Sequence, residues 1–228
     1  MLIEPEMDAA TGTLDRALAE ALAARMAAGA RPGPDAESLA LRDLLATATD
    51  HRSVQMLHAV WGRIVAVTGP VVFAAGAAAT LLAADRHGLP IRTLADADAG
   101  LAEAARGARV IIDLDGPRPW WGRLLARPDL RIVAALPDDR FGRPRALTVS
   151  KETPGPTGED RTFWVTDSRL ADAAILDALG QIGFQGQALV SAGGLKLFML
   201  AGYVQAEDGR LTTAPGSLKG VIGAAPVY

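Results

Sequence analysis

The sequence predicts an α/β protein, α+β over its whole length, with a helical segment first and sheet-forming segments after it. Three observations carry that expectation. Residues 13–69 place apolar side chains at helical spacing. Residues 70–150 alternate short apolar runs with alanine-rich helical stretches, the rhythm of a mainly parallel sheet. Residues 161–228 read strand, helix and three further strands, an approximation to a ferredoxin-like unit. The chain has 228 residues, half of them hydrophobic, which is enough to bury a sizeable core.

In the first segment, Leu14, Leu18 and Leu22 recur at i, i+4 and i+8 behind Thr13, and Gly29 stops the helix before "RPGP". Asp35 is the expected cap of a second helix carrying Leu41, Leu44 and Leu45. Asp50 opens a third, with Val54, Leu57, Trp61, Ile64 and Val65 on one stripe. Three helices of this size bury little alone, so docking onto the rest of the chain or dimerisation is expected.

In the middle segment, "VVFAAG" reads as a strand, "AAATLLAADRHG" as a helix and "IRTL" as a strand. "DADAGLAEAARG" is a second helix, and "RVIIDLD" has the unbroken apolar character of a buried strand. "WWGRLLA" follows as a short helix, then a strand over 131–136. "KETPGPTGEDR" (151–161) is a linker, rich in Pro, Gly and charge. Beyond it come a strand in "TFWVTD", a helix in "SRLADAAILDALGQIG", two hairpin strands and a final strand. No second crossover helix stands out between Val204 and Leu218.

Composition removes several function classes. The net charge is -3, and lysine occurs only at Lys151, Lys196 and Lys219, which argues against tracking a nucleic-acid backbone. The absence of cysteine excludes disulfides and thiolate metal sites. "MLIEPEMDAATG" lacks the basic start and apolar core of a signal peptide, and the longest apolar stretch is broken at Gly69-Pro70. A soluble, cytoplasmic protein with no membrane partner is expected.

Chemistry-bearing patterns are sparse. There is no G-x-S-x-G, no G-x-G-x-x-G and no Walker motif. His51 and His58 sit seven apart on one predicted helix, and His87 stands alone. Asp113 and Asp115 end one strand, and Asp138 and Asp139 follow the next, where open sheets bind ligands. "DLDG" and "PDD" suit a divalent metal and also suit ordinary turns. The helical segment carries Arg16, Arg25, Arg31, Arg42, Arg52 and Arg63 without a lysine. Such arginines serve either a bidentate grip on carboxylates or a solvated face. Adjacent Trp120 and Trp121, in a chain poor in aromatics, are either a stacking platform for a ligand or a packing wedge.

"LDRALAEALAARMA" (14–27), "AESLALRDLL" (36–45) and "HAVWGRIVAV" (58–67) resemble, in order, the three helices of the all-helical chorismate mutases. The remainder resembles the chorismate mutase-related proteins of alphaproteobacteria, in which a helical part precedes a prephenate dehydratase-like region. "WWGRLL" followed by "AALP", "TGEDRTFWVTD" and the tail "GAAPVY" carry that part of the resemblance. It implies a mutase-like segment at 13–69, a dehydratase-like α/β domain at 70–150 and an ACT-like domain at 161–228. The implied reaction is the pericyclic conversion of chorismate to prephenate, which requires no cofactor and no metal. Catalysis there comes from holding the reactive conformer and stabilising charge on the breaking ether oxygen.

Carried over position by position, the resemblance gives Arg25 a substrate carboxylate, Glu37 the ring hydroxyl and Thr68 an assisting role. The family's opening arginine lands near Asp8, a second becomes Ala36, and its lysine falls in the "RPGP" break without a counterpart. Loss of that cation is expected to slow the reaction on the order of 100-fold or more. The dehydratase Thr-Arg-Phe reads here as Arg161-Thr162-Phe163. Three functions remain open at this point: a chorismate mutase with a degraded site, a non-catalytic binding or regulatory protein of the same pathway, and a prephenate dehydratase-like enzyme, which the changed order of Thr-Arg-Phe disfavours. The implied partners are a small dicarboxylate (chorismate or prephenate) or an aromatic amino acid, and the implied assembly is a homodimer.

Overall fold

The computed structural model describes residues 20, 23–24, 33–46, 48, 50–88, 91–116, 118–139 and 142–228. Of the helix expected over residues 14–29, Glu20, Ala23 and Ala24 are described and helical; its other residues, Arg25 among them, lie outside the described residues. Helix α1 (Pro34–Leu45) begins after an extended Gly33 and has no side-chain cap. The expected cap, Asp35, sits inside the first turn instead. Pro34 moves the start, because its fixed φ and missing N–H suit the first helical position. Asp35 and Glu37 then lie where the helix dipole favours acids. Helix α2 (His51–Thr68) starts as expected: Asp50 accepts hydrogen bonds from the backbone N–H of Arg52 (2.8 Å) and Ser53 (2.9 Å).

The chain then runs through β1 (Val72–Ala75), α3 (Ala77–His87), β2 (Arg92–Leu94), α4 (Ala97–Ala105) and β3 (Arg109–Asp113). A 3-10 helix (Trp120–Ala126) leads to β4 (Arg131–Leu136), β5 (Ala146–Ser150) and β6 (Asp160–Thr166). Helix α5 (Asp172–Gln181), β7 (Gly186–Ala192), β8 (Leu195–Ala201), a second 3-10 helix (Gly209–Thr213) and β9 (Lys219–Pro226) complete it.

All nine strands join one mixed sheet in the order β2-β1-β3-β5-β4-β9-β6-β8-β7. The expected parallel arrangement holds at the β2-β1-β3 edge. Beyond it, β5 inserts antiparallel between β3 and β4. The sequence analysis did not find this strand. "ALTVS" is five residues long and two of its last three are polar, yet it is buried along its whole length because it lies inside the sheet. Strands β9-β6-β8-β7 take the 4-1-3-2 order of a ferredoxin-like unit, with β6 paired antiparallel to both β8 and β9. Its second crossover is the five-residue 3-10 helix, which accounts for the missing helical pattern after Val204.

The two stretches of sheet meet where β4 and β9 pair in parallel, with Ile132 in register with Gly223. Gly223 has φ +141°, and a Cβ there would stand 2.3–2.8 Å from the Ile132 backbone. Only glycine lets the strands approach at this seam.

Beneath the seam lies the tryptophan pair. Trp120 is 3% exposed and Trp121 0%. They join Ile112, Leu130 and Ile132 from one stretch of sheet to Phe163, Leu197 and Ile222 from the other, in a single apolar cluster. The Trp120 indole donates to the Asp113 carbonyl at 2.7 Å. Gly122 allows the close approach of this 3-10 helix, since a Cβ would fall 2.3 Å from Leu195 Cδ1. The pair is a packing wedge, and neither ring is available to a ligand. On the opposite face Trp164 packs with Ile175, Leu179 and Phe198 under α5. No helix among the described residues is long and apolar enough to cross a membrane.

Trp121→Ala is expected to destabilise the fold by about 3–5 kcal/mol through the cavity it leaves. The check is a urea titration in which the midpoint falls and the slope is unchanged.

Candidate functional site

Where α1 and α2 lie against the sheet, they enclose a cavity of about 80 Å³. Glu37 and Ser38 reach it from α1, Trp61 from α2, Arg86 and His87 from the end of α3, and Arg109 from the start of β3. Asp138 and Tyr228 close it on the far side. Gly62 lets α2 approach α3, because a Cβ there would overlap the Arg86 carbonyl oxygen. That contact brings His58 beside Arg86.

Two charge systems line the cavity. In the first, Arg109 donates from Nη1 to Glu37 (2.6 Å) and from Nε and Nη2 to Glu152 (2.6 and 2.7 Å). Ser150 donates to the same Glu152 carboxylate at 2.9 Å. Burial opposes the charge on Arg109, but the bonds from Glu152 and the field of Glu37 outweigh it and hold its pKa above the ordinary value. In the second, Arg86 donates to the His58 carbonyl (3.0 Å), bonds His58 Nδ1 and pairs with Asp138 (3.1 Å). The His58 ring meets Tyr228 edge to face, with centroids 5.3 Å apart. Burial and the adjacent Arg86 charge lower the His58 pKa, against the pull of Asp138. Burial raises the Tyr228 phenol to about 12.

His87 donates Nδ1–H to the Gly62 carbonyl at 3.0 Å, since a carbonyl can only accept. Burial pushes its pKa down to about 4, so the ring is neutral at pH 7. Both arginines on the wall are matched by carboxylates, and burial disfavours the charged form of both histidines. The arrangement orders the helix–sheet junction; among the described residues it presents no activated nucleophile and no unmatched cation.

Of the site residues expected from sequence, Glu37 lies on this cavity. Thr68 ends α2 with its hydroxyl donating to the Ile64 carbonyl (2.8 Å), and it is not on the cavity wall. Arg25, with Arg16 and Arg31, lies outside the described residues. The structure brings Glu37 to Arg109, not to Thr68. Arg42 is not on the cavity wall; it lies over the Tyr228 ring, 5.9 Å from its centroid, and binds the carbonyls of Thr157, Glu159 and Val227. Arg52, Arg63 and His51 are exposed.

Asp113 has a structural role, accepting from the backbone N–H groups of Ala78 and Ala79 at the start of α3. Asp115 is exposed, and Asp138 is paired with Arg86. Among the described residues, no group of three His, Asp or Glu side chains converges on a metal-sized site.

Arg109, Glu152, Arg86 and Tyr228 were not found from sequence. Arg109 left a readable signal: a lone charge opening the otherwise apolar "VII" strand needs a buried partner. Tyr228 left none, because its neighbours come from four distant elements.

Arg109→Met strands two carboxylates and is expected to destabilise the fold by about 3–5 kcal/mol, with part of the loss recovered when Glu37→Gln is added. Denaturant midpoints of the single and double variants test this. His87, free in the unfolded chain at about 6.5 and held at about 4 when folded, makes stability fall as pH drops from 6.5 toward 4. Replacing His87 with Gln is expected to flatten that fall by at most about 1.4 kcal/mol per pH unit, read as the difference between two stability–pH curves.

No family model matches the chain, and no curated protein matches it. Among solved structures it is similar to "GqqA, a novel type of quorum quenching acylases", with a TM-score of 0.46 and 18% identity over 69% of this chain and 95% of that one. It is also similar to the prephenate dehydratase of Staphylococcus aureus subsp. aureus Mu50, with a TM-score of 0.44 and 8% identity over 68% of this chain and 99% of that one. At this level of likeness neither structure assigns a role to any residue here.

Proposed function

We propose that this chain is a non-catalytic binding protein for a small carboxylate of aromatic amino-acid metabolism, such as chorismate, prephenate or an aromatic amino acid. The observation that carries the reading is the ion triad at Glu37. The carboxylate assigned to a ring hydroxyl by the sequence resemblance is held at 2.6 Å by Arg109, which Glu152 neutralises from its other side.

A mutase needs cations free to grip two carboxylates and to meet charge growing on the ether oxygen. Among the described residues of the cavity, Arg109 and Arg86 are both matched by acids. The space of about 80 Å³ is also well short of the roughly 300–1,000 Å³ of small-molecule sites. The pathway assignment rests on the sequence resemblance alone. A larger recess of about 500 Å³, on the sheet face at Arg161, shares no lining residue with this cavity.

The second reading is a chorismate mutase, an isomerase that produces prephenate. It is favoured by Glu37 reaching a cavity that also holds two guanidinium groups. Chorismate consumption by the purified chain, followed by ultraviolet absorbance, separates the two. No turnover above the spontaneous rate is expected. Turnover that disappears in Arg25→Ala would establish the mutase and overturn the proposal.

A further inference from the structure

The antiparallel register of the C-terminal strands puts a buried arginine on the floor of the larger recess. Arg161 stands directly across from Ala201 in the β6–β8 pairing, and Gln187 across from Met199 in the β7–β8 pairing. Cross-strand partners share a sheet face. Arg161, Ala201, Met199 and Gln187 therefore project together, on the face that carries Phe163 and Val165. Farther along that face the 3-10 helix of Trp120–Ala126 covers the strands. Beyond Met199 the cover ends, and a groove of about 500 Å³ opens with Glu159, Asp160, Arg161, Gln187, Met199 and Val227 on its walls. The Asp160 carboxylate is taken up by the Thr157 backbone N–H (2.8 Å) and hydroxyl (2.7 Å).

Arg161 is 5% exposed, yet no carboxylate among the described residues is paired with it. Its Nη1 donates to the Gly142 carbonyl (2.9 Å) and touches the Met199 sulfur (3.9 Å), and its Nη2 donates to the Asp139 carbonyl. A guanidinium has five N–H donors. The Nε–H and the second Nη2–H make no bond among the described residues. The nearby carboxylate of Asp138 is committed to Arg86. Burial outweighs the fields of Asp139 and Asp138 and lowers the Arg161 pKa, the behaviour of a desolvated cation lacking a contact counter-ion. This contrasts with Arg109, equally buried but matched by two acids. A buried charge without a partner is the group that gains most from an arriving one.

We propose that this groove binds a small organic carboxylate, its oxygens on the Nε and Nη2 donors of Arg161 and its apolar body against Met199 and Val227. Gln187 supplies a polar contact at the rim. The inference rests on the binding-protein reading and gives it a site, one that the residues of the helix–sheet cavity do not provide.

The test is calorimetric titration of the full chain with phenylacetate, and with phenylacetamide, which keeps the shape and removes the charge. Inorganic phosphate tests for a bare anion site. Saturable binding of phenylacetate is expected, at least tenfold tighter than phenylacetamide or phosphate, and weakened at least tenfold in Arg161→Gln. Because Arg161 also binds the carbonyls of Asp139 and Gly142, Ala201→Leu is the second variant. It fills the groove from an exposed strand position, and it is expected to abolish binding at an unchanged melting temperature. No saturable binding, equal affinity for the amide, phosphate binding as tightly, or undiminished binding in Ala201→Leu would each overturn the site. Chorismate turnover is scored separately: it would overturn the non-catalytic reading while leaving the groove's carboxylate site standing.

Discussion

The fold depends on a seam one residue wide. Strands β4 and β9 run parallel and meet at Ile132 and Gly223, and the backbones are close enough there that no side chain fits between them. A contact so short does not hold two stretches of sheet together by its own hydrogen bonds. The wedge beneath it does. Trp120 and Trp121 bury both rings against strands from either side of the seam, converting a thin backbone junction into one continuous apolar core. Burying an aromatic ring removes about 150–250 Å² from water, so this pair dominates the local energetics. Gly122 and Gly223 mark the two places where backbone had to come close for that to happen.

The helices are fixed to this sheet by charge as well as by apolar contact. Glu37 on α1 is tied to Arg109 at the foot of β3, and Arg42 on the same helix binds carbonyls at Thr157, Glu159 and Val227. Buried ion pairs gain little net stability over apolar packing, because desolvation cancels much of their attraction. Their effect here is on register. A one-residue rotation of α1 would leave Arg109 with a missing acid, and that penalty is large. Among the described residues, the cations that face Glu37 and Asp138, namely Arg109 and Arg86, are each paired with an acid. Arg161 breaks the pattern, and it lies on the face where cover is missing.

Much of the fold was legible along the chain. The helix over 51–68, the strand–helix alternation after Pro70 and the order of the C-terminal strands follow from apolar periodicity and from glycine and proline punctuation, which act within a few residues. Strand β5 was not legible, because its Thr148 and Ser150 are buried by neighbours distant in sequence and its five residues show no period of their own. The cap of α1 was misplaced by two residues, at Asp35 instead of Gly33, since Pro34 and Asp35 are both competent openers and only the backbone decides between them. At the candidate site, Glu37 was legible as a position. Its partner was not, because Arg109 is 72 residues away.

The sequence by itself determined the elements, the absence of thiol chemistry and the lack of nucleophile or nucleotide-binding motifs. These are properties of residue type and local spacing. Tertiary structure decided the rest: that Trp120 and Trp121 pack instead of stacking on a ligand, that Glu37 is paired with Arg109, and that Arg161 is buried with no acid in contact with it among the described residues. Each depends on which groups distant in sequence share a small volume of low dielectric. There the presence or absence of one partner outweighs any local propensity.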